Sequence, residues 1–139
     1  MWASKTTMTV DKDEGLDESG FGLHVYSHFT KDQLADILNC QQPFVDDNTL
    51  LFFLRTLDSV GNDNGDFVMV TWRVMKDKKS AQKMQEVVAP IITNGIESGM
   101  GGVDFEIIEL TYDDFVDLQT QSGTKYYFAG LADVLDEYE

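Results

Sequence analysis

The pattern of apolar and polar positions predicts a β-hairpin in the middle of the chain. Residues 49–57 (TLLFFLRTL) form a dense apolar run, and residues 67–75 (FVMVTWRVM) are rich in aromatic and β-branched side chains. The intervening segment 58–66 (DSVGNDNGD) contains an Asn-Gly pair, which is typical of a hairpin turn. The two runs are therefore expected to be paired antiparallel strands, the first of them buried.

Periodic patterns on both sides of the hairpin predict further elements. Upstream, residues 21–29 (FGLHVYSHF) alternate like a strand, and residues 30–40 begin with a capping box followed by an apolar stripe, which predicts a helix. Downstream, residues 77–94 predict a helix that kinks or stops near Pro90. The remaining predictions are a strand at 103–112, a short helix at 113–121, a strand at 124–130 and a terminal helix at 131–139.

The order of these elements predicts an α+β domain. It is β-α-β-β-α-β with a short α-β-α tail, and it is typical of a single mixed β-sheet with helices packed on it. We expect residues 20–139 to form this one globular domain. Residues 1–19 are polar and acidic, and we expect a mobile N-terminal arm there, although residues 5–10 (KTTMTV) are compatible with a short strand.

Charge is distributed unevenly along the chain. The sequence holds 25 acidic and 10 basic side chains, for a formal charge of −15. A chain this acidic is not expected to bind nucleic-acid phosphates directly, because such binding needs a dense basic surface. Half of the basic side chains nevertheless lie in residues 73–83, where Asp77 is the one acid: Arg73, Lys76, Lys78, Lys79 and Lys83.

The basic window falls on the predicted helix after the hairpin. On a helical wheel Lys76, Lys79 and Lys83 line one side, about 100° from an apolar stripe. That stripe comprises Ala81, Met84, Val88 and Ile91. Two interpretations remain open: a solvated helix flank that pairs with acids of its own domain, or a positive ridge that docks on an acidic partner.

No catalytic or metal-binding pattern is found in the sequence. His24, His28 and Cys40 do not have the spacing of a zinc site, and segment 58–66 lacks the terminal carboxylates of a calcium loop. The acids of segment 112–118 are explained by helix capping. We expect no enzyme, metal or cofactor. With one cysteine, no signal-peptide core and no membrane-spanning run, we expect a cytoplasmic protein, or one inside a host cell if viral, with no membrane partner.

Residues 51–72 (LFFLRTLD…GDFVMVTW) resemble the central hairpin of the actin-depolymerising-factor homology domain, in its coactosin and drebrin-like branch. The helix, the strand and the acidic helix start that follow, to about residue 128, come in that family's order at comparable spacing. The family opens with a helix, whereas residues 1–20 show no helical periodicity, and a ferredoxin-like sandwich fits the order equally well. The matching hairpin positions are Phe53, Arg55, Asp58, Phe67, Val68 and Trp72.

The resemblance implies a non-enzymatic domain that binds actin through its long helix and the segment leading into it. Actin is acidic, so a basic ridge suits it. Carried over to this sequence, and extended by us to the adjacent Arg73, the expected contacts are Arg73, Lys76, Lys78, Lys79, Lys83 and Met84.

The acidic excess supports two other interpretations. The first is a small viral-type inhibitor whose carboxylates mimic nucleic-acid phosphates and block a basic host-defence or nucleic-acid-processing protein. The second is a structural or assembly subunit of a larger particle, contacted through the N-terminal arm. The expected mimic surface comprises Asp104, Glu106, Glu109, Asp113, Asp114, Asp117, Asp133, Asp136, Glu137 and Glu139.

Overall fold

The computed structural model describes residues 1–10, 39–59, 67–96 and 103–137, and the statements below concern these residues. The elements in chain order are β1 (Trp2–Val10), α1 (Gln42–Asp46), β2 (Leu50–Ser59), β3 (Phe67–Met75), α2 (Lys78–Ile96), β4 (Val103–Glu109), α3 (Tyr112–Thr120), β5 (Thr124–Tyr127) and α4 (Gly130–Asp136).

The five strands form one sheet in the order β4-β1-β3-β2-β5. The expected α+β class, with a single sheet and packed helices, is confirmed. The inner order β4-β1-β3-β2, built from a β-α-β-β-α-β chain, is the ferredoxin-like arrangement, and β5 extends it beside β2.

The sheet is antiparallel at all four of its pairings, whereas we expected a mixed sheet. The connections β1 to β2 and β3 to β4 do join strands that run in the same direction. Those strands are not neighbours, because β3 lies between β1 and β2, and β1 lies between β3 and β4. The order of elements alone does not reveal this interleaving, which is why the prediction was wrong in this detail.

The first strand lies earlier in the chain than we expected. Residues 2–10 form β1, which pairs with β3 on one side and with β4 on the other, so they are not part of an arm. The sequence allowed only a short strand at 5–10, because several of the buried positions of β1 are small or carry hydroxyl groups: Ala3, Ser4 and Thr6 are at most 1% exposed. The rest of the expected arm, the strand expected at 21–29 and most of the helix expected at 30–40 lie outside the described residues.

The hairpin and the long helix agree with the sequence-based expectation. β2 and β3 pair from Leu50 opposite Met75 to Ser59 opposite Phe67, while the turn itself lies outside the described residues. Helix α2 continues through Pro90, which does not end it. Pro90 is exposed, so the carbonyl group left without its usual helical partner can be solvated.

Helices cover both faces of the sheet. On the α2 face, Met69 and Met75 of the sheet pack against Met84 and Val88 of the helix. On the opposite face, α3 and α4 cover the sheet, and the Phe52 and Phe115 rings meet edge to face, 5.3 Å between centroids.

An irregularity in β2 lets its first residues serve both faces. The register with β3 shifts between Leu50 and Phe52, and all three side chains from 50 to 52 are buried. Leu50 joins the core under α2, whereas Leu51 and Phe52 join the core under α3 and α4. The dense apolar run seen in the sequence therefore contributes side chains to both cores.

The close approach of β5 to β2 depends on Gly123. A Cβ atom at this position would collide with the backbone oxygen of Arg55, so Gly123→Ala should push β5 away from β2. We expect a loss of about 1–3 kcal/mol in the free energy of unfolding, measured by urea titration. The control Ser122→Ala, at an exposed neighbour, should change it by less than about 0.5 kcal/mol. Equal effects of the two variants would contradict this account.

Candidate protein-binding ridge on α2

A tight connection places the basic window at the start of α2. Strand β3 ends at Met75, and the backbone N–H of Lys76 donates to the carbonyl oxygen of Thr49 at 2.9 Å. Asp77 then begins the helix: its Oδ1 accepts from the Ser80 N–H at 2.7 Å, and its carbonyl accepts from Ala81 at 3.1 Å. The chain thus passes directly from a buried strand to the first helical turn.

Four lysine side chains surround this turn, and all four are exposed: Lys76, Lys78, Lys79 and Lys83. We call these four residues the lysine ridge. The Nζ atom of Lys78 lies 5.1 Å from the centroid of the Trp2 ring, a cation–π contact that fixes one end of the ridge against β1. Within the described residues no salt bridge involves a ridge lysine, and the charges of Lys76 and Lys79 act at longer range on Asp77.

The ridge lies at the positive end of the helix dipole. The first turn of α2 contains no acidic residue, and Asp77 just before it is the one nearby carboxylate on this element. Its hydrogen bonds from Ser80 lower its pKa, and the charges of Lys76 and Lys79 lower it further. The dipole and the four lysines carry charge of the same sign at this end of α2, where they add to one another.

Two of the expected contact residues are buried, so that part of the prediction was wrong. Arg73 is 1% exposed because side chains alternate along β3, which directs it with Thr71 and Met75 onto the α2 face. Met84 is 0% exposed because it lies in the centre of the apolar stripe of α2. Neither side chain can contact a partner at the surface.

Arg73, which is buried, lies near the half-buried Arg55, a pairing that the sequence did not reveal. Its Nε donates to Gln41 Oε1 at 3.2 Å, and its guanidinium lies 5.6 Å from the Phe53 ring, which the Arg55 guanidinium also approaches, at 5.3 Å. Burial lowers the pKa of Arg73 to about 10. Burial, and then repulsion by Arg73, lower the pKa of Arg55 to about 9, so both remain charged at neutral pH. The signal was present as an arginine inside each of two apolar strands.

Arg73 also has an unsatisfied donor. Its Nη1 has no hydrogen-bond partner, and neither has Thr6 Oγ1 on the same face of the sheet. A charged donor that is buried without a partner raises the free energy of the folded state, because it loses its hydrogen bonds to water and gains none in the protein. The unpartnered Nη1 of Arg73 therefore carries a free-energy cost in the folded state.

The acidic residues of the expected mimic surface lie on several elements. Asp104 and Glu106 are exposed on β4 and point to the α3 and α4 side, whereas Glu109 points to the α2 side. Asp114 completes a capping box with Thr111: its carboxylate accepts a hydrogen bond from the backbone N–H of Thr111 at 2.9 Å. The remaining described acids are exposed on α3 and α4 or directly after α4: Asp113, Asp117, Asp133, Asp136 and Glu137. Glu139 lies outside the described residues.

The part of the chain that the structure describes offers little for small-molecule chemistry. No cluster of His, Cys, Asp or Glu in it has the geometry to hold a metal ion, and His24 and His28 lie outside it. An open groove of about 480 Å³ runs along the outer side of α2. It is lined by Gln85, Glu86, Ala89, Pro90 and Thr93. None of the described helices combines the length and the apolar character needed to cross a membrane.

Comparisons with known proteins give no family for this chain. No protein-family model matches it, and no curated protein matches it either. Among solved structures, it is similar to a VAO-type flavoprotein from Myceliophthora thermophila C1, at 13% identity and TM-score 0.38, covering 93% of this chain but only 20% of the flavoprotein. It is also similar to a dimeric ferredoxin-like protein from an uncultured marine organism, at 10% identity and TM-score 0.33, covering 80% of this chain and 90% of the other. Similarities this weak carry no argument about fold or function.

The Asp77 cap predicts a pH-dependent contribution to stability. We expect Asp77→Ala to lower the free energy of unfolding by about 1 kcal/mol at pH 7, the usual effect of losing a helix cap. Because folding lowers the pKa of Asp77 below its ordinary value of 3.8, the carboxylate's contribution is complete above pH 3.8 and disappears as the pH falls through the folded value. The difference between wild type and variant, followed by urea unfolding, should therefore shrink below pH 3.8. A constant difference would exclude the charged cap as its cause.

The buried arginine predicts an unusual response to an apolar substitution. We expect Arg73→Met to leave the free energy of unfolding unchanged or to raise it by up to about 4 kcal/mol, as when buried ionic groups are replaced by apolar ones of similar volume. Arg73→Ala, which removes the same charge but leaves a cavity, should be less stable than Arg73→Met. Urea unfolding of the two variants makes the comparison. A clear loss in Arg73→Met would show that the guanidinium stabilises the fold.

Proposed function

We propose that this chain is a non-enzymatic protein-binding domain that docks on an acidic partner through the lysine ridge. The observation that carries the proposal is the exposure of four lysines around the first turns of α2, at the positive end of that helix.

The placement of the lysines is unfavourable for the fold itself. Cations near a helix N-terminus destabilise the helix, by roughly 0.3–1 kcal/mol each at exposed sites, and acidic residues are preferred there. This chain has 25 acidic residues to place, yet it puts Lys78 and Lys79 in the first turn. A position at which the sequence departs from what the local structure favours is a candidate for function.

The charge of the rest of the molecule would orient the encounter. An acidic partner is repelled by a chain with a formal charge of −15 except where the lysines make the potential positive. Docking is thereby directed to one corner, and complementary charge raises the association rate most strongly at low salt.

Actin is the partner to test first. Actin is acidic, and residues 51–72 with the helix that follows resemble the actin-depolymerising-factor homology domain. The described chain opens with a strand, unlike that family, so the proposal depends on the lysine ridge and not on the fold. Binding to actin would place the protein in the cytoplasm.

Co-sedimentation with filamentous actin tests the proposal. We expect the wild-type protein to sediment with actin at low salt, and less so as salt screens the charges. Lys79→Glu/Lys83→Glu should abolish sedimentation and, because it removes one cation from the positive end of the helix, should not lower the melting temperature.

The control is Thr93→Glu/Ala132→Glu, which places two acids at exposed positions away from the ridge, one near the far end of α2 and one on α4. This variant should still sediment with actin. No sedimentation of the wild type at low salt would reject actin as the partner, and equal binding by both double variants would reject the ridge.

Phosphate mimicry is a second candidate function, favoured by the exposed carboxylates of β4. Asp104 and Glu106 lie two residues apart on one face of an edge strand, on the side that α3 and α4 cover. Two residues along a strand span about 6.6 Å, so the backbone positions of these two carboxylates lie about that far apart on one face. A basic DNA-binding protein that binds the wild type in competition with DNA, but not Asp104→Lys/Glu106→Lys, would support this function.

A further inference from the structure

The two edges of the sheet differ sharply in charge. Along β4, Asp104, Glu106 and Glu109 are exposed, which is a common way to keep an edge strand from pairing with another chain. At the opposite edge, β5 carries Lys125 as its one charged residue, and the Lys125 Nζ is engaged with the carbonyl oxygen of Gln119 at 2.6 Å. The described part of β5 contains neither an acid nor a proline.

The neutral edge coincides with an unusual stretch of the sequence. Residues 118–132 are the longest segment of this acidic chain without Asp or Glu. In the structure this segment brings β5 to the surface with two large aromatic side chains uncovered: Tyr126 is 57% and Tyr127 is 56% exposed. Each rests on a ring of β2, Tyr126 at 5.8 Å from Phe53 and Tyr127 at 5.0 Å from Phe52. The edge is therefore aromatic on both faces.

We propose that β5 is a homodimerisation edge, at which a second copy of this chain adds its own β5 in antiparallel pairing to make one continuous sheet across two molecules. The proposal does not depend on the lysine ridge or on the identity of its partner.

The hydrogen-bonding pattern of β5 determines the register. The Phe128 N–H donates to Leu51 at 3.0 Å, so by the alternation of an antiparallel ladder the backbone groups of Tyr126 also point to β2. Those of Lys125 and Tyr127 point away from the sheet. In a two-fold pairing centred on Tyr126, Lys125 of each copy lies opposite Tyr127 of the other and exchanges two hydrogen bonds with it, four in total.

The same register suits the side chains. Tyr126 faces its own counterpart across the axis, a favourable aromatic pair, and each lysine stem lies beside a tyrosine ring of the other copy. Shifting the axis to Lys125 would oppose two lysines. A second copy is the fitting occupant because β5 is self-complementary in this register, and because its acid-free edge is where two chains of charge −15 repel each other least.

The test is the molar mass in solution, measured by sedimentation velocity and by light scattering of the full chain from about 1 to 200 μM. We expect a species of twice 15.7 kDa in the wild type, more populated as added salt screens the repulsion between copies. A wild type that stays monomeric over this whole range at 0.15–0.5 M salt would overturn the proposal.

A matched pair of variants tests the edge itself. Lys125→Pro removes the outward N–H that supplies two of the four intermolecular hydrogen bonds, and it leaves the inward bonds to β2 in place. It should be monomeric at concentrations where Lys125→Ala, which lacks the same side chain but keeps the N–H, is still dimeric. Equal dimerisation of the two variants would overturn the proposal.

Cross-linking tests the register without depending on the proline variant. In a Cys40→Ser background, Tyr126→Cys places a thiol at the two-fold axis and should give a disulfide-linked dimer on mild oxidation. Asp104→Cys, on the acidic edge, should not. Cross-linking of Asp104→Cys but not of Tyr126→Cys would assign the dimer to β4 and refute this proposal.

Discussion

The insertion of β1 between β3 and β4 is the interaction on which the rest of the structure depends. It joins the hairpin to the strand that follows α2, and without it β4 would have no neighbour in the described sheet. The pairing brings Trp2 opposite both Met75 and Glu109, residues far along the chain. Contacts of such long range are slow to form, because closing a long loop costs conformational entropy before the contacts repay it.

Both cores follow from this central strand. β1 contributes Met8 to the core under α2 and Ala3 to the core under α3 and α4. Two other residues of β1 are buried on the α2 face, and both are polar. Ser4 lies opposite Arg73 in β3, and Thr6 lies opposite Thr71. The centre of this face therefore contains hydroxyl groups and a charged guanidinium, and apolar residues such as Met69 and Met75 flank it along the strands. The apolar core that α2 and the hairpin share on this face offsets the cost of the buried guanidinium.

The sequence predicts those parts of the structure in which strand propensity, turn residues and helical periodicity all indicate the same element. Residues 67–75 are predicted as a strand with the bounds that β3 has, because aromatic and β-branched residues flanked by turn signals leave no competing interpretation. Helix α2 is predicted within two residues, and of the two effects expected of Pro90, a kink or a stop, the stop does not occur. Strand β1 was anticipated only as a short strand at 5–10, because Thr favours strands without contributing much hydrophobicity, so an interior strand resembled an arm.

The candidate site was predicted unevenly for a related reason. Charge clustering identifies Lys76, Lys79 and Lys83 correctly as an exposed group, since long charged side chains are rarely buried. The same criterion fails at Arg73, where the alternation of β3 outweighs the preference of arginine for solvent. Whether a basic residue joins a surface therefore depends on its place in the strand or helix, and net charge in a sequence window does not contain that information.

The contact of Lys78 with the Trp2 ring gives the ridge an optical property. Trp2 lies beside the ridge on the α2 side of the sheet, whereas Trp72 lies on the opposite side with Lys5 above its ring at 4.8 Å. The protein thus carries two indole chromophores in similar cationic surroundings, one at each face. A ligand that withdraws Lys78 changes the electric field at Trp2 and not at Trp72, so tryptophan emission responds to events at the ridge.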